Sequence, residues 1–205
     1  MKSFRPILLL AALPAILLWL VPATHGALLC ERTAILRGEW WRLWTGHWVH
    51  FSFSHLAWNL AVLLGAGAWL EHVRRGWFAR YILAGAPLIS LALLAGEPAM
   101  QTYGGLSGLA TGVVVLLALT QISPASPARR WWMGALVLVA AKTALDASHA
   151  PALFAQFASP AIRPSALAHA AGAGTALAFF LSRPIRFCLP LGRAVRPVSS
   201  PPAVS

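Results

Sequence analysis

Six apolar runs, roughly residues 6–24, 54–71, 78–96, 104–122, 131–149 and 165–182, divide almost the whole chain. Each is close to the ~20 residues that carry a helix across a bilayer. A backbone in lipid has no water to bond with, so such runs must close their hydrogen bonds internally, as helices. The pattern predicts an all-α polytopic membrane protein, a compact six-helix bundle over residues 1–182. Short loops leave no room for a second domain. Composition agrees: 59% of residues are hydrophobic and 10% charged, against roughly 25% charged in soluble domains. Lys2 and Arg5 precede the first run, which reads as a retained signal-anchor helix rather than a cleaved signal peptide. Residues 183–205, rich in Pro, Ser, Arg and Val, read as a poorly ordered basic tail.

The basic residues set an orientation. Of the 16 Lys and Arg, Lys2, Arg5, Arg74, Arg75, Arg80, Arg129, Arg130, Arg183, Arg186, Arg193 and Arg196 fall on one side of the runs. Arg32, Arg37, Arg42 and Arg163 fall on the other, and Lys142 lies within a run. The positive-inside rule then places both termini in the cytoplasm. The net charge of +11 alternates by loop and forms no single patch, so no nucleic-acid partner is expected; the bilayer is. Cys30 and Cys188 fall on opposite sides, and no CxxC or zinc spacing exists, so no disulfide or zinc site is expected.

The longest loop, residues 25–53, holds Trp40, Trp41, Trp44 and Trp48 and is amphipathic. Such rings favour the headgroup layer, and a short interfacial helix fits there, with Arg42 snorkelling or pinning the loop to helix ends. Small residues recur at helical spacing in Gly104/Gly108/Gly112 and Ala168/Gly172, which lets backbones approach closely. The halves show no repeat, which weighs against an inverted-repeat transporter.

Polar groups within a span are expensive, and each is a candidate site residue. They are His55 and Asn59 on run two, Ser107 on run four, Lys142 and Asp146 on run five, and His169 on run six. Runs two, four and six all descend from the outer side, and His55, Asn59, Ser107 and His169 sit in their first turns. At 1.5 Å per residue the four share one shallow layer. Nucleophilic hydrolysis fits: His169 as the base for the Ser107 hydroxyl, with Gly105 and Gly108 letting the backbone approach a carbonyl. The Ser107 amide, His55 and Asn59 would be oxyanion donors. No acidic residue is expected in this layer, so a Ser–His dyad is favoured over a triad. Taken singly, GGLSG reads first as a packing seam, and His55 with Asn59 equally as a hydrogen-bonded bridge between helices. Lys142 and Asp146, four residues apart, form a deeper pair that either locks run five or handles substrate.

At these residues the sequence resembles the rhomboid family of intramembrane serine proteases, over almost its whole length. "GEWWRLWTGHWVHFSFSHLAWNL" is similar to the family's first-loop Trp-Arg element, here Trp41-Arg42, running into HxxxN. "GGLSG" is similar to its nucleophile motif, and "AHAAGAGTALAFF" to its final-helix histidine and small residues. The resemblance implies a Ser107–His169 dyad, an oxyanion hole of His55, Asn59 and the Ser107 amide, and supporting roles for His50 and Glu71. It further implies cleavage of transmembrane substrates near the outer membrane face without a cofactor.

Many members carry a tyrosine four residues after the serine, stacked on the histidine; here Thr111 stands there. The small size and "KTALD" look most like the bacterial rhombosortase subfamily. That implies an inner-membrane protein facing the periplasm, whose substrates end in a Gly-Gly motif, a transmembrane helix and a basic tail. Two other readings stand beside it: an inactive rhomboid-like protein that binds transmembrane segments, and a small transporter.

Overall fold

The computed structural model describes residues 8–148 and 164–182; the expected tail and His149 lie outside them. The protein is mostly helical. A π-helical turn (Leu8–Ala12) leads into α1 (Leu13–Leu20). The chain then bends by 103° at Val21, whose position before Pro22 disfavours helical backbone. Three short helices follow in the long loop: α2 (His25–Leu28), α3 (Arg32–Leu36) and α4 (Arg42–Thr45). Five longer ones complete the bundle: α5 (Phe53–Val73), α6 (Trp77–Gly96), α7 (Ser107–Gln121), α8 (Arg129–Ala147) and α9 (Ala166–Leu181). Of these, α5 and α6 are long and apolar enough to cross a membrane. Helices α7 and α9 are apolar but only 15 and 16 residues long.

One small departure from an all-helical chain is an antiparallel pair of two-residue strands, β1 (Cys30–Glu31) and β2 (Thr102–Tyr103), with Cys30 opposite Tyr103. It joins the long loop to the segment that opens α7.

Helix α7 is the axis of the bundle. Gly108, Leu109, Val113, Leu116 and Leu117 on it are buried, and α9 packs against it through small residues. A Cβ added at Gly108 would stand 2.8 Å from the Ala168 carbonyl oxygen, and one at Gly172 would run into the Gly108 carbonyl. Beneath this seam the Tyr81 hydroxyl of α6 donates to the Gly172 carbonyl at 2.9 Å, in space that a side chain at Gly112 would take. The glycine pattern is therefore a close-packed seam. Helix α8 is different: none of its residues is buried, and a cleft of ≈1020 Å³ opens between it and α9, lined among others by Val139, Thr143, Ala144, Leu167 and Ala170.

The long loop is fastened to α6 by polar side chains. Pro87 lies inside α6 and has no N–H to give the Leu83 carbonyl; the Trp44 indole donates to that carbonyl instead, at 3.0 Å. Arg32 donates to the carbonyls of Leu94, Glu97 and Met100 at 2.8–3.0 Å, placing a cation on the orphan acceptors at the end of α6. His47, fully buried, bonds the Ala86 carbonyl and the Ser90 hydroxyl through Nε2. Burial lowers its pKa to about 4, so it is neutral.

Candidate functional site

Ser107 opens α7 as its first helical residue. Its approach is set by Gly105, whose φ of +119° is a conformation that L side chains avoid. Tyr103 holds that turn from below: buried, with its hydroxyl donating to the Gly105 carbonyl at 3.0 Å. Burial, opposed in small part by a hydrogen bond with Ser107, pushes the Tyr103 phenol above its ordinary pKa, so it remains a donor. Above Gly105 lies the ring of His55, in the space that a Cβ there would claim.

A second histidine ties three elements together. His50 donates from Nδ1 to the Trp48 carbonyl at 2.9 Å. Its Nε2 is then an acceptor, and takes the Asn59 side-chain amide at 3.1 Å and the Leu106 backbone N–H at 3.4 Å. Burial, reinforced by His55, lowers the His50 pKa to about 3, which keeps that acceptor unprotonated. The His50 and His55 rings meet edge to face, centroids 5.0 Å apart. His50, His55, Asn59 and the turn before Ser107 thus form one buried cluster.

His169 faces this cluster from the first turn of α9. The helix start is fixed by Ser165, which accepts from the Ala168 N–H at 3.1 Å and donates to Glu97 at 3.2 Å. Ser107 and His169 each stand one residue from the Gly108–Ala168 contact. The imidazole is 2% exposed, and its Nδ1 lies 2.7 Å from Asp146 Oδ2. Lys142 Nζ donates to the same oxygen at 2.6 Å.

That contact corrects the expectation that no acidic residue lies in this layer, and that Lys142 and Asp146 form a deeper pair. The end of α8 meets the start of α9, so Asp146, in the last turn of α8, stands level with His169. Thr111 does not take the place of a stacking tyrosine. Its hydroxyl donates to the Ser107 carbonyl at 2.9 Å, within its own helix.

The remaining candidates fall outside the cluster. Arg42 does not snorkel: it is 5% exposed. Its guanidinium donates to Gly26 O and Leu29 O at 2.8 Å each and pairs with Glu39 at 2.7 Å, which shapes the loop. Trp41 is half exposed and donates to Ala27 O at 3.2 Å. Glu71 lies in the last turn of α5, sixteen residues beyond His55, or about 24 Å along the axis. There its carboxylate accepts the Gly76 N–H at 2.7 Å, across a turn whose φ of +76° favours glycine. Sequence reasoning missed Tyr103, His47 and Arg32, single polar residues in loops with no period or motif to mark them. Among the described residues no group of His, Cys, Asp and Glu is placed to hold a metal ion.

The fold and site define a class: a helical membrane protein with a serine, three histidines, an asparagine and an aspartate gathered at one end of its bundle. Residues 37–184 match the rhomboid domain. The chain belongs to the rhomboid family, whose members are generally intramembrane serine proteases. No curated protein matches the sequence.

Proposed function

We propose that this protein is an intramembrane serine endopeptidase with Ser107 as nucleophile and His169 as base. The observation that carries the reading is the seam: where α7 and α9 pack closely, Gly108, next to Ser107, meets Ala168, next to His169. The Ser107 hydroxyl would attack the scissile carbonyl and give its proton to His169 Nε2. The oxyanion would be met by the Ser107 amide, among the first N–H groups of α7, which have no acceptor within the helix. Asn59 has a second amide hydrogen beyond the one given to His50, and His55 stands beside the turn. Collapse of the intermediate breaks the C–N bond, and His169 returns the proton to the leaving amine. Water then repeats the sequence on the acyl-enzyme.

The finer proposals follow the same residues. Six spans with both termini in the cytoplasm and residues 183–205 as a basic tail put the site at the outer face of an inner membrane. Lys142 and Asp146 beside His169 support the rhombosortase assignment, with substrates that carry a C-terminal Gly-Gly motif, a transmembrane helix and a basic tail. The apolar cleft between α8 and α9 offers room for a lipid-embedded segment.

The test has two arms. Purified protein is expected to react with a fluorophosphonate and Ser107→Ala to lose the label; equal labelling of both removes Ser107 as nucleophile. Co-expression with a Gly-Gly-anchored protein is expected to yield cleavage that Ser107→Ala abolishes. Labelling without cleavage of that substrate would retain the protease and reject the rhombosortase assignment. Absence of both would favour the inactive, segment-binding reading.

A further inference from the structure

The Ser107–His169 reading leaves one requirement open. A general-base histidine must present an unprotonated nitrogen to the serine, so its other nitrogen has to carry the proton. We propose that Asp146 is a positioning residue for His169, holding Nδ1–H through Oδ2, with Lys142 seated on the same oxygen as a counter-charge. The inference rests on that reading of Ser107 and His169 and adds a third and a fourth member to it.

The geometry fixes the proton assignment. Asp146 Oδ2 is 2.7 Å from His169 Nδ1, a distance at which one atom must donate, and an ionised carboxylate cannot. Lys142 Nζ donates to the same oxygen at 2.6 Å, so that oxygen is already an acceptor. Lys142 also lies 3.4 Å from Nδ1; both are donors, so this contact is repulsive and no hydrogen bond. The hydrogen therefore sits on Nδ1, and the Nε2 lone pair is the one available for the Ser107 proton. Burial sharpens the arrangement: the aspartate side chain is 6% exposed and the imidazole 2%, so their hydrogen bond is shielded, while Lys142, 31% exposed, approaches from the open side.

Lys142 makes the cluster differ from a bare Ser–His–Asp set. Lysine and aspartate sum to zero, so protonating His169 gives the trio a net charge of +1 rather than zero. The aspartate favours imidazolium and the lysine opposes it. The other polar groups on the imidazole's side are His55 on α5 and Ser107 on α7, one residue from the Gly108–Ala168 contact. Glu97 of α6 accepts from the Ser165 cap of α9 at 3.2 Å. Among the described residues Asp146 and Lys142 are thus the two formal charges set against His169, and they act in opposite directions.

A merely structural ion pair would tie α8 to α9 and do nothing else, so the test reads rates against pH. The full chain in detergent is labelled with a fluorophosphonate from pH 5 to 9. Asp146→Asn is expected to slow labelling by about 10²–10⁴-fold and move the acidic limb to lower pH. Lys142→Met is expected to move that limb to higher pH. Asp146→Glu, which keeps a carboxylate, is expected to recover much of the rate. A wild-type limb in Lys142→Met overturns the proposal even if Asp146→Asn fails to fold. So does a loss of rate in Asp146→Asn and Asp146→Glu alike that follows a fall in melting temperature. Labelling of Ser107→Ala at the wild-type rate would instead reject the reading beneath it.

Discussion

Replacing Gly108 by alanine tests whether the α7–α9 seam sets the spacing of Ser107 and His169. The new Cβ would stand 2.8 Å from the Ala168 carbonyl oxygen and 3.4 Å from Ile89 Cγ2. Ordinary contact begins at 3.4 Å, so the shortfall against the carbonyl is 3.4 − 2.8 = 0.6 Å. A helix backbone cannot turn aside as a side chain can, so α9 must move as a body. His169 follows Ala168 directly and moves with it. Overpacking of this kind costs about 1–3 kcal/mol. Misplacement by ~1 Å costs roughly 10² in rate, and a shift of 0.6 Å is expected to slow labelling by about tenfold. The assay pairs a fluorophosphonate labelling rate with a melting temperature. A Gly108→Ala protein that labels at the wild-type rate with an unchanged melting temperature would refute the claim that close packing places the two residues.

Three further outcomes follow from the loop and the histidine cluster. His47 and His50 are held neutral, with pKa values near 4 and 3 against 6.5 in the unfolded chain. Below pH 6.5 the unfolded state therefore binds more protons, and stability falls as pH drops toward 4, by on the order of 3 kcal/mol for His47 alone; denaturant midpoints across that window check this, and His47→Gln should flatten the slope. Arg42→Lys keeps the charge but loses the planar fork that meets Gly26, Leu29 and Glu39, and is expected to cost about 2–4 kcal/mol, read as a lower melting temperature. Asn59→Ala is expected to lower cleavage by about 10–10³-fold with little change in melting temperature; an unfolded Asn59→Ala would assign that residue to helix bridging.

The candidate site was legible to the extent that helix direction makes depth readable. Ser107, His169, His55 and Asn59 open their helices, so counting residues from the run starts was enough to group them. Asp146 carried the same information and was misplaced: it closes its helix, and the end of α8 meets the start of α9. Counted from the end of its run it lies three residues in, about 5 Å, the same layer as the rest. The cluster around Gly105 was half visible. A glycine pair before a serine signals a special turn, but nothing in periodicity says that Tyr103 props it or that His55 fills it. The fastening of the loop was hidden for a different reason. Arg32, Trp44 and His47 serve backbone carbonyls, and a carbonyl's need for a partner depends on where its helix ends or, at Leu83, on a proline four residues on.

Helix α7 has 15 residues, so it rises roughly 22 Å, short of a hydrocarbon core of ~30 Å. In the proposed orientation the missing length would be taken up at the Ser107 end by folded, hydrogen-bonded chain: β2, the Gly105 turn and the loop fastened to α6. With Ser107 as the proposed nucleophile, the attacking hydroxyl would be recessed by a turn or two of helix and roofed by protein. For the proposed protease, water would have to be admitted through that roof, and a substrate's peptide bond unwound and lowered to the serine. In such a site the length of one buried helix sets how far a substrate must be pulled out of helical form before any bond is cut.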